Sequence, residues 1–191
     1  MHNVTVAFAA LLVMLLSYFF GCFNGSFMVS HFIIRDDVRK HGSGNAGLTN
    51  FYRTYGAKYA LLVIACDMGK TVAACLLGSF FFRCLGWDGT LGTLLAGLGC
   101  ELGHIFPVFY GFRGGKGILS GGTLVLLLNW RVAAVAWALF LLLWLTTRYV
   151  SLASITATCS APITVYFVYA HNWLYTCLLY TSDAADELDG V

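Results

Sequence analysis

The stretch VTVAFAALLVMLLSYFFGCF, residues 4–23, contains no charged side chain. About 20 mostly apolar residues in an α-helix are enough to cross the hydrocarbon core of a bilayer. Residues 1–9 carry no Lys or Arg, and the apolar run is longer than that of a signal peptide. The stretch therefore predicts a retained first membrane span, which continues through residues 25–34 with a kink expected near 21–25.

The composition of the whole chain agrees with a membrane protein. Of the 191 residues, 59% are hydrophobic and 10% are charged, whereas charged residues make up about a quarter of an ordinary soluble domain. A soluble protein this apolar could not cover its own surface, so its apolar runs must face lipid. We therefore expect an all-α polytopic membrane bundle that forms one domain over residues 1–181, with no soluble domain.

Further apolar runs predict six full transmembrane helices and part of a seventh. The spans after the first are expected at residues 58–82, 90–105, 118–129, 132–146 and 151–170. The seventh helix begins near Trp173 and stops after Tyr180, which is too short to cross a bilayer. We expect a truncated seventh helix, followed by an acidic and non-native tail at residues 182–191.

The basic residues are distributed unevenly between the two sides of the membrane. With six spans, eight of the 11 Lys and Arg residues fall on one side. Because cytoplasmic loops are enriched in Lys and Arg, this side is predicted to be cytoplasmic and the N-terminus to lie outside. The eight are Arg35, Arg39, Lys40, Arg53, Lys58, Arg113, Lys116 and Arg148; Arg83 and Arg131 lie on the other side, and Lys70 lies within a span.

The polar loop after the first span, RKHGSGNAGLTN at residues 39–50, is a candidate phosphate site. Gly42, Gly44 and Gly47 allow the backbone N–H groups to curl toward an anion. A flexible connector between spans would also contain glycines, but it would not need this density of donors and cations, so phosphate binding is favoured. The accompanying polar and basic residues are Arg39, Lys40, Ser43, Asn45, Thr49, Asn50 and Arg53.

A second glycine-rich stretch, GHIFPVFYGFRGGKG at residues 103–117, is expected on the same side as the first. It is not a Walker A loop, because only three residues precede Gly115 after Gly111, and Gly117 stands where Ser or Thr is required. ATP use is therefore not indicated. Arg113 and Lys116 are suited to gripping a phosphate, although a positive-inside anchor would look the same.

Asp67 and Lys70 lie three residues apart within the second span. Charges inside a membrane are costly, and they usually pair with each other or face a polar cavity. The spacing allows pairing on one helix face, so a structural ion pair and a pair that lines the site are equally compatible with the sequence.

Two other residue pairs fit known signatures. His31 and Asp36 match His-x-x-x-x-Asp, the general-base signature of a different acyltransferase class, but the other motifs of that class are absent and we interpret the match as chance. Glu101 and His104 match Glu-x-x-His, a ligand pattern of di-metal helical bundles. Such sites need two copies and further Glu residues, so no metal is expected.

Three motifs occur in one order along the chain: residues 42–53 with Gly42-Ser43-Gly44-Asn45, residues 103–117, and residues 148–155 with the sequence RYVSLASI. Together with Asp67 and Lys70, they resemble the bacterial acyl-phosphate:glycerol-3-phosphate acyltransferases over about residues 15–170. The resemblance implies a seven-span fold in the bacterial inner membrane with a cytoplasmic active site. It also implies a complete seventh helix with a basic end, which residues 182–191 replace here.

The resemblance further implies a reaction and a set of site residues. Acyl phosphate would be the donor, rather than acyl-CoA or acyl carrier protein, and glycerol 3-phosphate the acceptor, giving lysophosphatidic acid without a cofactor, metal or nucleic acid. Ser43, Arg53 and Lys116 would bind phosphate and are the candidate catalytic residues. The candidate substrate-binding residues are Gly42, Gly44, Asn45, Thr49, Asn50, His104, Arg113, Gly114, Gly115, Ser151 and Ser154.

Two other function classes remain open at the level of sequence. A transporter or channel for a phosphorylated solute would also place glycines and cations near a bilayer, but it should show polar residues through the membrane and often inverted repeats. The sequence has no evident internal repeat, and its informative residues crowd one side. The third class is a noncatalytic membrane partner in lipid synthesis. The oligomeric state is not indicated.

Overall fold

The computed structural model describes residues 2–169, and every regular element within this range is helical. The long helices are α1 (His2–Cys22), α4 (Ala57–Cys84), α5 (Gly89–Ile105), α7 (Trp130–Thr147) and α8 (Val150–Tyr169). The shorter helices are α2 (Gly25–Met28), α3 (Leu48–Tyr55) and α6 (Ile118–Leu128), with a π-helical segment at Val29–Ile34 and 3₁₀ turns at Val38–Lys40 and Val108–Tyr110. The expected seventh helix from Trp173 and the tail at 182–191 lie outside the described residues.

Five helical segments of the described chain are long and apolar enough to cross a membrane: Val4–Ile34, Ala57–Cys84, Gly89–Tyr110, Trp130–Thr147 and Val150–Val168. The predicted all-α membrane architecture is therefore confirmed. The count of six full spans is not confirmed, because α6 has 11 residues. At a rise of 1.5 Å per residue α6 is about 16 Å long, roughly half the thickness of the hydrocarbon core.

The first span is broken where the sequence predicted a kink. Helix α1 ends at Cys22, and the buried side chain of Asn24 begins α2 by accepting a hydrogen bond from the backbone N–H of Phe27 at 3.0 Å. The chain continues through the π-helical segment and turns away at Arg35, whose φ of 62° is left-handed. The break places polar backbone groups of α1 and α2 inside the molecule.

Helices α1 and α5 approach each other until their backbones touch. The touching positions on α5 are Gly99 and Gly103, one turn apart, and a Cβ added at either would overlap a carbonyl oxygen of α1, that of Met14 or that of Tyr18 respectively. In membrane proteins, small residues spaced four apart allow two helices to approach closely and pack by van der Waals contact. These glycines are therefore required by the fold.

Helix α4 packs against α5 in the same way. Gly78 of α4 and Gly92 of α5 lie backbone to backbone, and Phe82 packs nearby in a buried cluster. The turn between the two helices ends at Asp88, whose side chain accepts from the N–H of Thr90 at 2.8 Å and so caps α5. Helix α5 consequently packs closely against both α1 and α4, and Val13, Phe82 and Ala96 form a buried cluster where the three helices meet.

The described chain divides into two compact units between Leu124 and Val125, a boundary inside α6. The first unit contains α1 to α5 and both glycine-rich loops. In the second unit, α7 and α8 pack through Val132, Ala161 and Val165. Ser151 and Ser154, two of the predicted substrate-binding residues, belong to the second unit.

Candidate active site

The first glycine-rich loop adopts backbone conformations that only glycine takes easily. Gly42 and Gly44 have φ values of 56° and 75°. A Cβ at Gly42 would also overlap the side-chain oxygen of Asn50. The loop is therefore compact and defined, rather than a flexible connector.

Asn50 holds this loop in shape from the first turn of α3. Its Nδ2 lies within hydrogen-bond distance of three backbone carbonyl oxygens, those of Val38 at 3.2 Å, His41 at 3.0 Å and Asn45 at 3.0 Å, which share its two hydrogens. Its Oδ1 accepts from the N–H of Ser43 at 3.1 Å. The polar atoms of Asn50 are thus used within the loop, and its predicted contact with substrate stays a prediction.

The second glycine-rich loop folds back on the end of α5. The N–H groups of Gly114 and Gly115 each donate at 3.1 Å to carbonyl oxygens of the last turn, those of Ile105 and His104 respectively. A side chain at Gly114 would overlap the His104 carbonyl oxygen. This tight return brings residues 114–117 over the end of α5.

The two loops contact each other directly, although about 70 residues separate them in sequence. The N–H of Ala46 donates to the carbonyl oxygen of Gly114 at 3.2 Å. A Cβ on Gly47 would come within 4.0 Å of the backbone nitrogen of Lys116. The two loops that were predicted to bind phosphate therefore lie side by side.

Two helix N-termini begin at this junction. Helix α3 starts at Leu48, directly after Gly47, and α6 starts at Ile118, directly after Gly117. Gly47 at the start of α3 provides no capping side chain. Helix N-termini carry partial positive charge and unpaired backbone N–H groups, so two of them beside Lys116 form a strongly anion-attracting arrangement.

The three candidate catalytic residues lie on these elements. Ser43 is exposed in the first loop, and Lys116 is half-buried at the junction. Arg53 is exposed in the last turn of α3, about 7 Å along the axis from Leu48. Because helical side chains lean toward the N-terminus, the long Arg53 side chain is able to extend back toward the junction.

The other predicted substrate-binding residues are placed differently. Asn45 and Thr49 are half-buried beside the junction, and Arg113 is exposed in the second loop. In the second unit, the Ser154 hydroxyl bonds to carbonyl oxygens of its own helix, those of Val150 and Ser151, both at 3.0 Å. The proposed contacts of Ser151 and Ser154 with substrate remain predictions.

Arg39 has a structural role that the sequence did not reveal. Its guanidinium forms an ion pair with Asp37 at 2.9 Å, donates to the carbonyl oxygen of Tyr110 at 2.9 Å, and lies 4.6 Å above the ring of Phe27. It thereby ties the first loop to the second loop and to α2. Its position among the cations of the first loop gave no signal of this role.

Asp36 is engaged by neighbours other than His31. The N–H of Asp37 and the hydroxyl of Tyr55 donate to its carboxylate and lower the pKa of Asp36, and His41 Nε2 lies 2.8 Å from it. Burial, together with the bond to Asp36, raises the pKa of Tyr55 to about 12. His31 instead stacks on an aromatic ring of α2, in agreement with a chance match to the His-x-x-x-x-Asp signature.

The buried pair Asp67 and Lys70 contacts His104 rather than standing alone. Lys70 Nζ lies 2.9 Å from Asp67 Oδ1 and 2.7 Å from His104 Nδ1. Among residues 2–169 there is no group of three or more His, Cys, Asp or Glu side chains that could hold a metal ion. The sequence left the role of this ion pair open, and the structure places it beneath the second loop.

Comparisons with known proteins show the family of the chain. A family model described as glycerol-3-phosphate acyltransferase matches residues 11–184. The chain belongs to the glycerol-3-phosphate acyltransferase family. The predicted family membership and the predicted acyltransferase class are therefore confirmed.

Individual members of the glycerol-3-phosphate acyltransferase family are similar over most of the chain. The enzyme of that name from Finegoldia magna is 38% identical over 163 residues, which cover 85% of this chain and 79% of the relative. The crystal structure of PlsY (YgiH), an integral membrane glycerol 3-phosphate acyltransferase, in its glycerol 3-phosphate form matches with a TM-score of 0.79 at 34% identity, over 92% of this chain and 84% of that one. The lysophosphatidic acid form of PlsY matches with a TM-score of 0.78 at 32% identity, over 94% of this chain and 86% of that one.

Proposed function

We propose that this chain transfers an acyl group from acyl phosphate to glycerol 3-phosphate, giving lysophosphatidic acid and inorganic phosphate, the first step of phospholipid synthesis. The junction of the two glycine-rich loops carries this proposal, because it joins two helix N-termini and Lys116 at one place. Both substrates bear phosphate groups, so a site built for anions suits each of them. The forms in which PlsY was crystallised support the acceptor and the product.

The proposed chemistry needs no covalent intermediate on the protein. The acceptor hydroxyl oxygen attacks the acyl carbonyl carbon, a new ester C–O bond forms, and the bond from that carbon to the phosphate oxygen breaks. The departing phosphate takes the electron pair, and a substrate phosphate oxygen takes the hydroxyl proton. The protein contributes by holding both phosphates and the hydroxyl in line.

Ser43, Arg53 and Lys116 have distinct roles in this proposal. The two cations stabilise the negative charge that grows on the departing phosphate, and the Ser43 hydroxyl donates a hydrogen bond to a phosphate oxygen. The N-termini of α3 and α6 add backbone N–H groups without adding mobile side chains. Glycines at 114 and 115 allow the second loop to lie against His104 and so fix the backbone that leads to Lys116.

We propose that the junction faces the cytoplasm of a bacterial inner membrane, with the N-terminus outside. The support is the excess of Lys and Arg in the loops on that side. In the Asn45→Cys variant, expressed in intact cells, a membrane-impermeant thiol reagent is expected to leave residue 45 unlabelled until the cells are opened. The seven native cysteines are replaced by alanine or serine beforehand. Labelling from outside intact cells would refute the orientation.

The identity of the acyl donor is the part of the proposal that is most directly testable. The loops provide anion sites but no nucleotide motif, so acyl phosphate is expected to support transfer and acyl-CoA is not. The experiment incubates purified protein with glycerol 3-phosphate and either donor, and it measures lysophosphatidic acid. Equal rates with the two donors would exclude the acyl-phosphate mechanism, and uptake of glycerol 3-phosphate into vesicles without product would indicate transport instead.

A further inference from the structure

A charged pair is buried at the break in the first span. Asp67 and Lys70 of α4 are 2% and 9% exposed. Lys70 Nζ donates to the carbonyl oxygens of Gly21 at 3.2 Å and Phe23 at 3.1 Å, where α1 ends, and the N–H of Gly25, where α2 begins, donates to Asp67 Oδ1 at 2.9 Å. The pair thus satisfies backbone groups that the break leaves without helical partners.

The hydrogen-bond count at Lys70 fixes its role as a donor. Its Nζ contacts the Asp67 carboxylate, two carbonyl oxygens and His104 Nδ1, and the first three are acceptors only. A neutral amine has two N–H groups, too few for the three acceptors, whereas an ammonium has three and no acceptor. With four partners, one N–H of the ammonium is shared between two of them. Toward an ammonium at 2.7 Å, His104 Nδ1 must present its lone pair. The proton of the neutral imidazole therefore lies on Nε2.

The ring nitrogen on the opposite edge of His104, Nε2, lies against the second glycine-rich loop. A Cβ added to Gly115 would overlap His104 Nε2, so this nitrogen lies directly beneath the Gly115 backbone. The same added Cβ would lie 3.1 Å from the carbonyl oxygen of Ala46 in the first loop. His104 Nε2 is therefore placed at the junction where the two loops meet.

We propose that Asp67 and Lys70 are positioning residues that hold His104 in its Nε2–H tautomer, so that Nε2 donates a hydrogen bond to a phosphate oxygen of the substrate at the loop junction. This inference rests on the proposed function for the identity of the anion. Asp67 orients the ammonium and the ammonium fixes the tautomer. Gly115, which has no side chain, lets Nε2 of His104, a residue only 4% exposed, lie against the loop backbone. The device also links the break in the first span to the geometry of the site.

The tautomer is tested by NMR of the full chain labelled with ¹⁵N-histidine in detergent micelles. The chain has five histidines, and the His104 signals are those that disappear in a His104→Gln variant. We expect the pattern of a neutral ring protonated at Nε2. In Lys70→Met the proton is expected to distribute over both ring nitrogens, while Lys58→Met, which changes an exposed lysine at the start of α4, leaves the pattern unchanged.

A ring protonated at Nδ1, or a mixture of tautomers, in the unmodified chain would overturn the proposal even if Lys70→Met fails to fold. Retention of a single Nε2–H tautomer in a folded Lys70→Met variant would remove Lys70 from the positioning role. Both results concern the ring alone. They are therefore independent of whether the chain transfers acyl groups.

The donor role of His104 is tested by kinetics with acyl phosphate and glycerol 3-phosphate. His104→Ala is expected to raise KM for glycerol 3-phosphate about tenfold, the loss of one hydrogen bond to a charged group, with a smaller change in kcat. His104→Gln, which can place an amide N–H near the position of Nε2, is expected to recover most of the loss. Equal KM values for the Ala and Gln variants would show a packing role and overturn the inference. Absence of acyl transfer by the unmodified chain would instead reject the proposed function.

Discussion

Replacement of Gly103 by alanine is expected to destabilise the protein more than the same replacement of any other glycine in α5. The added Cβ would overlap the carbonyl oxygen of Tyr18, and the backbone atoms of Cys22 and Gly21 lie 2.9 Å from it. A flexible side chain could move aside, but here the backbone of α1 has to move. Inserting an extra carbon into a packed interior costs about 1–3 kcal/mol, and the backbone contact favours the upper end.

The measurement is the thermal unfolding midpoint of the purified protein in detergent, which is expected to fall by about 5–10 °C in Gly103→Ala. Gly69→Ala is the matched control, because Gly69 is a helical glycine of α4 and a Cβ there meets nothing within 4 Å. Alanine has the higher helix propensity, so this control is expected to be unchanged or slightly more stable. If both variants melt at the same temperature, the close packing of α1 on α5 is not important for stability.

The sequence was sufficient to predict what depends on local composition. Uninterrupted apolar runs place α1, α4, α5, α7 and α8 within a few residues of their observed ends. The kink near residues 21–25 was also predictable, because two glycines and an asparagine interrupt the run there. The count of spans was harder, since α6 is apolar yet contains only 11 residues, and composition does not show whether so short a helix crosses the membrane.

The hydrogen bonds and ion pairs of the candidate site could not be predicted, because they join residues that are distant in sequence. Lys70 reaches His104 across 34 residues, and no periodicity connects a charged residue on one helix with a ring on another. Asn50 matched a phosphate-loop motif, but only the folded loop reveals that its side chain bonds to the loop backbone. A motif identifies which residues belong to a site, and the fold decides which of them face the ligand.

Lys116→Ala is expected to lower kcat/KM for glycerol 3-phosphate by about tenfold or more, and Arg53→Ala by a similar factor. A hydrogen bond to a charged group is worth about 1.5–3 kcal/mol, and each 1.4 kcal/mol is a factor of ten. Neither side chain is fully buried, so the amount of protein in the membrane is expected to stay near normal. Steady-state acyl transfer by purified protein, normalised to that amount, gives the measurement.

Lys58→Ala is the matched control for these charges. Lys58 is exposed at the start of α4, with its ammonium 5.1 Å from the ring centre of Tyr59, and it lies outside both glycine-rich loops. A loss in this variant equal to that in Lys116→Ala would mean that overall positive charge, not the loop junction, attracts the substrate. Full activity of either Lys116→Ala or Arg53→Ala would remove that residue from the site.

The double variant distinguishes one phosphate from two. If Lys116 and Arg53 hold the same phosphate group, the two losses are coupled, and the combined loss departs from the product of the single losses by more than about a factor of two. If Lys116 holds the acyl phosphate and Arg53 the glycerol 3-phosphate, the single variants raise KM for different substrates. The position of Lys116 between the N-termini of α3 and α6, with Arg53 about 7 Å along α3, favours a shared phosphate. We therefore expect coupled losses and a raised KM for the same substrate in both single variants.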